Sequence, residues 1–527
     1  MRAKTPSFIA EFPLRTTAAD ERALTVRLDA ARHIFNASLD ESLKRLDRMR
    51  QSKDWQAARA MPQTNGVDGK GKRIPNRERA MLFKATMTRF GFTSAEIQKH
   101  AEACRDACWI GDHLGSHDTQ TTSLRAFRAV QMHAFGKRGR PRFKGYNRLH
   151  SVESKGDAVI RLRVRDGVHV VLWDDLTLPL KLDPRDRDGW QEASLACRTK
   201  YVRIVRRTIR GRVRWYAQLV QEGLAPRKER LPLGEGVIGL DLGPSTIAAV
   251  SATDATLEPF CPLVMDMDRD IRVIQRAMDR SRRATNPDAF NENGTYRKGA
   301  RIKVRSRRYR VLSATKADLE RRLAAERKRA HGELANRVLA QGNVIKTEKV
   351  SYKSFQKNFG RSVKRRAPSL FVSIIRRKAE SARSEMIEFS TRTTRLSQFN
   401  HETGEYVKKP LSQRKHVFSD GTWVQRDLYS AWLARFVDQD RLDASQCDSH
   451  WVAAEPLLRR AASGFNQSAS GAGFAIPHVR KGIGADRPLQ EDGRQNEAAD
   501  AVAQARAAES SGNGPFRTPG FSCGEVQ

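Results

Sequence analysis

Three acids in this chain stand where chemistry could be done. Asp241 lies within "VIGLDLGPSTI", residues 237–247, among aliphatic residues suited to a buried strand, where an unpaired carboxylate is costly. Glu348 stands near the end of a second strand-like run, "NVIKTEKV", and Asp427 opens the helical pattern "VQRDLYSAWLARFV". Each has an ordinary explanation alone. A D-x-G after a strand is common, Glu348 could pair with Lys346 or Lys349, and Asp427 could cap its helix. As a set they read differently, because strand ends hold side chains rigidly and carboxylates are hard oxygen ligands suited to Mg²⁺. Two such ions about 3.5 to 4 Å apart stabilise both the attacking and the leaving oxygen of a phosphodiester. Without metal, the repulsion between the acids would raise their pKa values. Asp241, Glu348 and Asp427 are therefore read as a catalytic and metal-holding triad for two Mg²⁺ ions, with Asp241 bridging both.

The elements around the acids follow an order. After the strand with Asp241 come a polar insertion, "RATNPDAFNENGTYRKG", and a cationic stretch, "RIKVRSRRYR". A helix follows, with Leu312, Leu319, Leu323, Ala330, Leu334 and Val338 on one stripe. Then come the strand with Glu348, a basic loop, a helix from about Leu370 to Glu385, a strand "MIEFST", a polar insertion, and the helix that Asp427 begins. Strand with Asp, long helix, strand with Glu, then Asp at a helix start predicts a split ribonuclease H-like nuclease core.

Upstream, "PSFIAEFPLR" predicts an opening strand. Leu24, Leu28, Ala31, Phe35, Leu39, Leu43 and Leu46 then recur at helical spacing. Helical patterns continue to about Phe135. The stretch "GKRGRPRFKGY" interleaves Lys137, Arg138, Arg140, Arg142 and Lys144 with Phe143 and Tyr146, a pattern suited to tracking a nucleic-acid backbone. Alternating runs follow, among them "YVRIVRRTIRGRVRWYAQLVQE", two strands around an Arg-Gly turn.

Composition points the same way. The 527 residues hold 97 Lys and Arg against 60 Asp and Glu, a net charge of +37 that calls for a polyanionic partner, and nucleic acid is the leading one. No apolar run is long enough to span a bilayer, and "MRAKTPSFIAEFPL" has no apolar signal core, so a cytoplasmic, membrane-free protein is expected. The six cysteines include no C-x-x-C pair, and Cys104 and Cys108 read as ordinary thiols.

"VIGLDLGPSTI", "VIKTEKVSYKSFQKNFGRSV" and "QRDLYSAWLARF" resemble, in that order, the three split RuvC motifs of the TnpB proteins of insertion sequences and of the small type V CRISPR effectors. The resemblance covers about residues 6 to 440. It implies an α/β multidomain protein: a RuvC core with an N-terminal wedge β-domain that carries a helical recognition insert. The corresponding division is a wedge strand at 1–16, a helical recognition domain at 17–135 and a wedge β-domain at 136–232. The first two parts of the nuclease core fall at 233–393, an insertion at 394–424, the third part at 425–440, and a flexible tail at 441–527. The activity implied is RNA-guided, Mg²⁺-dependent cleavage of double-stranded DNA, with guide RNA and target DNA as partners and Asp241, Glu348 and Asp427 on the metal-binding triad. Backbone contacts are expected from Lys137, Arg138, Arg140, Arg142, Lys144, Arg301, Arg305, Arg307 and Arg308.

Two departures from the family pattern stand out. The 394–424 insertion has no cysteine where relatives usually carry a zinc ribbon. His401 and His416 alone do not make a structural zinc site, so a zinc-free insertion held by Phe399, Val417, Phe418 and Trp423 is expected. Gln425 and Tyr429 replace the Asp and Asn usual beside the third acid.

The alternative is an RNA-guided DNA-binding protein that represses without efficient cleavage, although a retired nuclease would be expected to lose one of its acids. A sugar-kinase or chaperone ATPase would need a second glycine-rich phosphate loop, and the chain has no Gly-Gly pair. A transposase would use similar metals, but the family resemblance speaks against it.

Overall fold

The computed structural model describes residues 5–69, 73–410 and 413–471. Strand β1 (Ser7–Pro13) turns Phe8, Ala10 and Phe12 inward and leaves Ile9 exposed, the period of two of a half-buried strand. Thr17 then caps helix α1 (Ala18–Arg50). Its hydroxyl accepts the Asp20 N–H at 3.2 Å while the Asp20 carboxylate accepts the Thr17 N–H at 2.8 Å. The stripe from Leu24 to Leu46 is buried as its spacing predicts. It packs in one core with helices over Lys53–Ala60, Arg77–Arg89 and Ser94–Asp106 and with α2 (Ser116–Ala134).

Strands β2 (Ser151–Glu153), β3 (Thr199–Ile209) and β4 (Arg212–Glu222) join β1 in an antiparallel sheet ordered β1-β4-β3-β2. Ile160–Arg165, Val168–Trp173 and Leu176–Pro179 form a separate three-stranded sheet.

The second half is built on β5 (Val237–Leu242), β6 (Thr246–Val250), β7 (Ala255–Pro259), α3 (Leu263–Thr285), α4 (Arg307–Leu339), β8 (Val344–Glu348), α5 (Tyr352–Arg366), α6 (Pro368–Ser381) and β9 (Glu385–Phe389). Its sheet runs β7-β6-β5-β8-β9. The first three strands are antiparallel, and β8 and β9 run parallel to β5. On one face Ile238, Leu240, Leu242 and Ile345 meet α4 and α6 through Leu334, Val338, Phe371 and Ile375. On the other, Ala248 and Val250 meet helices α7 (Arg426–Ala434) and α8 (Ala444–Gly471). A sheet buried on both faces explains why β5 reads as almost continuously apolar.

The structure corrects three expectations. The basic loop after Glu348 is helix α5, opened by the Ser351 side chain accepting the Ser354 N–H at 3.4 Å and kinked at Phe359 before Gly360. Between β7 and the polar insertion lies α3, unanticipated although Val264, Met267 and Ile271 have helical spacing and pack against Leu323 of α4. The tail expected to be loose from residue 441 instead begins with α8, whose Cys447, Ala454, Leu458 and Phe465 are buried beside α7. Residues 472–527 of that tail lie outside the described residues. Among the described residues no helix is long and apolar enough to cross a membrane.

Candidate active site

Alternation along a strand decides which side chains of β5 and β8 share a face. Gly239 and Asp241 point one way and Ile238, Leu240 and Leu242 the other. Gly239 pairs in parallel register with Lys346 and Leu240 with Thr347, which sets Glu348 on the neighbouring strand level with Asp241. Helix α7 crosses this face and carries Asp427 in its first turn. The helix is capped by Gln425, whose side chain accepts the Leu428 N–H at 2.8 Å, so Asp427 is not the cap residue. Its carboxylate accepts from the Thr246 hydroxyl at 3.4 Å. The fold thus brings Asp241, Glu348 and Asp427 to one end of one sheet face.

Two residues lock that arrangement. Gly239 lets β5 and α7 approach backbone to backbone: a Cβ at this position would lie 1.8 Å from the Ala431 carbonyl oxygen. The Lys346 ammonium, two residues before Glu348, donates to the carbonyls of Arg435 at 3.1 Å and Val437 at 2.7 Å, capping the C-terminal end of the helix that carries Asp427.

The electrostatics are those of crowded acids. Burial, then the charges of Asp427 and Glu348, push the Asp241 carboxyl well above the usual carboxylate range. Burial pushes Glu348 up to about 7, opposed by a hydrogen bond from the Leu396 backbone. Unfolded, Glu348 loses its proton near its ordinary value of 4.5. Between the two values the folded chain binds more protons, so this group lowers stability progressively as pH rises through that window and keeps it lowered above. In chelator, Glu348→Gln should gain up to about 3 kcal/mol over the parent at pH 8 and nothing at pH 4. Denaturant unfolding of the two proteins at both pH values reads the difference, and equal stabilities at pH 8 would contradict the placement of Glu348.

Among the described residues no three His, Cys, Asp or Glu side chains close into a ready-made metal cage. The donor chemistry nevertheless fits hard divalent cations. Burial raises two of the carboxyls, and the third draws a cation from the insertion: Arg414 Nη1 stands 3.7 Å from Asp427 Oδ1. Nothing in the residue pattern marks Arg414, because only the folded path of the insertion brings it here. Its carbonyl accepts the Arg426 N–H at 2.9 Å, which ties it to the start of α7. The neighbouring Arg426 guanidinium is committed to the carbonyls of Pro410 and Gln413, both at 3.1 Å.

The 394–424 insertion differs from expectation inside. Phe399 and Phe418 are buried, but Val417 and Trp423 are exposed on the small hairpin β10 (Lys415–Val417) and β11 (Trp423–Gln425). Leu396 and Val424 are buried instead, together with both histidines. His401 Nδ1 lies 2.8 Å from the Tyr429 hydroxyl, and the His416 ring stacks 4.2 Å from that of Tyr429. Burial, with Lys409 hydrogen-bonded beside it, brings His416 down to about 3 and keeps it neutral. Tyr429 is thus the post around which the insertion is wound.

The cationic candidates are all solvent-facing except Lys144. Lys137, Arg138, Arg140 and Arg142 are exposed in a stretch without helix or strand, beside exposed Phe143 and Tyr146. Lys144 is anchored: its backbone exchanges hydrogen bonds with the Asn36 side chain at 2.8 and 2.9 Å. Arg301, Arg305, Arg307 and Arg308 are exposed at the approach to α4 and in its first turn, which holds no acid. Cations there oppose the helix dipole, an arrangement that an anionic partner would relieve.

No protein-family model and no curated protein sequence matches the chain. Solved structures similar to it include a cryo-EM Cas12f1–sgRNA–target DNA complex, 10% identical, covering 83% of this chain and 100% of that one at a TM-score of 0.41. A CRISPR–Cas12f ternary complex is 11% identical over 83% of this chain and 100% of that one, with a TM-score of 0.27. A Cas12i–crRNA–dsDNA complex is 9% identical, covers 70% of this chain and 53% of that one, and has a TM-score of 0.26. With scores this low, the functional reading rests on the residues of this chain.

Proposed function

We propose that the protein is an RNA-guided DNA endonuclease of the TnpB and small type V effector kind, with a RuvC-like, ribonuclease H-like core. The observation that carries the reading is the convergence of Asp241, Glu348 and Asp427 from two parallel strand ends and one helix start onto one end of a sheet face, each inside the field that perturbs Asp241. Mg²⁺ held by these three would supply the activated water and the charge stabilisation of two-metal phosphodiester hydrolysis. The chain's own parts do the positioning. Lys346 and Gly239 fix α7 against the sheet, Thr246 orients the Asp427 carboxylate, and Arg414 stands ready to meet a phosphate at the same edge.

Guidance by RNA is supported by the three motifs and by the +37 charge, for which a polyanion carried permanently by the protein is the natural counterweight. Purifying the protein from cells that express it with its native flanking DNA, then sequencing the RNA that accompanies it, tests this. One defined scaffold joined to a variable or flanking-derived segment is expected. Random fragments would turn the reading to an unguided nuclease.

A second reading has one observation in its favour. Arg414 Nη1 already stands 3.7 Å from Asp427 Oδ1, a cation in place of a metal ion, and under this reading the chain occupies matched DNA without cutting it. Tight binding to a matched plasmid that stays intact in Mg²⁺ would select it.

A further inference from the structure

The turn that joins β5 to β6 lies between Asp241 and Thr246, whose hydroxyl meets Asp427. Its two central residues are Pro244 and Ser245, closed by the Gly243 N–H donating to the Thr246 carbonyl at 2.9 Å. Neither central residue has a positive φ. The two-residue turns whose twist matches a hairpin need one, so this turn by itself would let the strands splay. The restraint comes from outside. The Phe260 N–H, just past β7, donates to the Ser245 carbonyl at 2.7 Å. The Ser362 hydroxyl, on α5, donates to the Pro244 carbonyl at 2.6 Å.

Both restraints meet at Arg366. Its Nη1 donates to the Ser362 hydroxyl at 2.5 Å, one helical turn away, so that hydroxyl accepts a charged donor and is left to give its single proton to Pro244. Its Nε donates to the Phe260 carbonyl at 2.7 Å. The arginine is 3% exposed, burial lowers its pKa, and among the described residues no carboxylate pairs with it. A buried guanidinium without a counter-ion is destabilising, and an apolar side chain of similar volume would serve the core better. The backbone around it is clamped. Asp268 of α3 pairs with Arg365 at 2.6 Å and with Arg361 at 3.1 Å, and the Arg366 carbonyl accepts the Nε2–H of His331, on α4, at 2.8 Å. A cation that weakens the core, on a rigid mount and directed at the turn beside two acids, is placed for something other than stability.

We propose that Ser362 and Arg366 are positioning residues of the nuclease site: through the Pro244–Ser245 turn they set Asp241 and the Thr246 hydroxyl that orients Asp427. The inference rests on the nuclease reading and extends it to two residues outside the triad. Neither side chain bonds to Asp241, Glu348 or Asp427; each acts through the carbonyls of the turn and of Phe260. The contact they protect has little slack, since the Thr246 hydroxyl reaches Asp427 at 3.4 Å, near the limit for a hydrogen bond. A turn that splays by about 1 Å breaks it, and a displacement of that size at reacting groups removes about a hundredfold in rate.

The test uses the full chain with its co-purified RNA and a matched plasmid. Ser362→Ala should slow single-turnover cleavage in saturating Mg²⁺ about tenfold or more, and Ser362→Thr, which keeps the hydroxyl, should return it to within about threefold of the parent. Arg366→Met, which fills the buried space without the donors, should be slow as well. In chelator, hydrogen exchange at the Gly243 and Phe260 amides should quicken in Ser362→Ala while RNA retention and DNA binding stay at parent levels. A structural role alone would lower the thermal midpoint and leave the rate of the folded molecules intact. Cleavage by Ser362→Ala within about threefold of the parent, a threonine variant as slow as the alanine one, or unchanged exchange at both amides would overturn the proposal. A cutting parent with an unaffected Ser362→Ala removes this inference alone, whereas a parent that binds matched DNA and leaves it intact in Mg²⁺ removes the nuclease reading and this inference with it.

Discussion

Asp241→Asn is expected to leave the protein folded, to make it more stable above neutral pH in chelator, and to abolish cutting. The side chain keeps its size, so packing around β5 is preserved, while the charge that burial and two neighbouring acids disfavour is removed. That charge is also what a divalent cation would need. Losing several kcal/mol of metal-derived transition-state stabilisation, about 4 kcal/mol or more, corresponds to about three orders of magnitude in rate. Single-turnover cleavage of a matched plasmid, alongside a mobility-shift measurement of DNA binding, separates chemistry from recognition. Cleavage within tenfold of the parent would remove Asp241 from the site. A purely structural acid in this position would give the stability gain without the loss of rate.

Gly239→Ala is expected to have the largest structural effect of any single methyl group in the core. The new Cβ would sit 1.8 Å from the Ala431 carbonyl oxygen and 3.1 Å from the Ala434 Cβ. The contact is between a central strand and a helix buried along its length, so no flexible side chain can turn aside. Helix α7 has to move, and Asp427 moves with it. Overpacking of this kind costs about 3 kcal/mol or more. A displacement of about 1 Å at the reacting groups removes about a hundredfold in rate even in molecules that fold. Thermal unfolding and cleavage measured on the same preparation are both expected to fall. Parent values in both would mean that β5 and α7 do not approach as closely as the structure places them.

Much of this site is legible in the sequence, for physical reasons that can be named. A carboxylate inside an apolar strand is conspicuous because burial makes it expensive, and Asp241 announces itself that way. Glu348 and Asp427 become visible only through the order of elements around them. Other features leave weak traces. The α8 stripe of Cys447, Ala454, Leu458 and Phe465 mixes small with large residues and shares its helix with Pro456, so its helical period is faint. Helix α3 was recoverable from Val264, Met267 and Ile271, but the charged residues between them mask the pattern. Inside the insertion, residue type misleads outright. His401 is buried with its Nδ1 beside the Tyr429 hydroxyl and His416 with its Nδ1 on Lys409, whereas apolar Val417 and Trp423 are left outside. Arg414 carries no sequence signal at all, since its role depends on a carboxylate thirteen residues away being folded back toward it.

We propose that bound RNA directs this triad to cut DNA. Its most direct test is to incubate the protein and its co-purified RNA with two plasmids in Mg²⁺, one carrying a sequence complementary to the variable segment of that RNA beside randomised flanking positions, the other lacking it. Cleavage of the first plasmid only is expected, confined to particular flanking sequences and lost on adding chelator. Equal cutting of both plasmids, or cutting of the matched plasmid that persists in chelator, would contradict it.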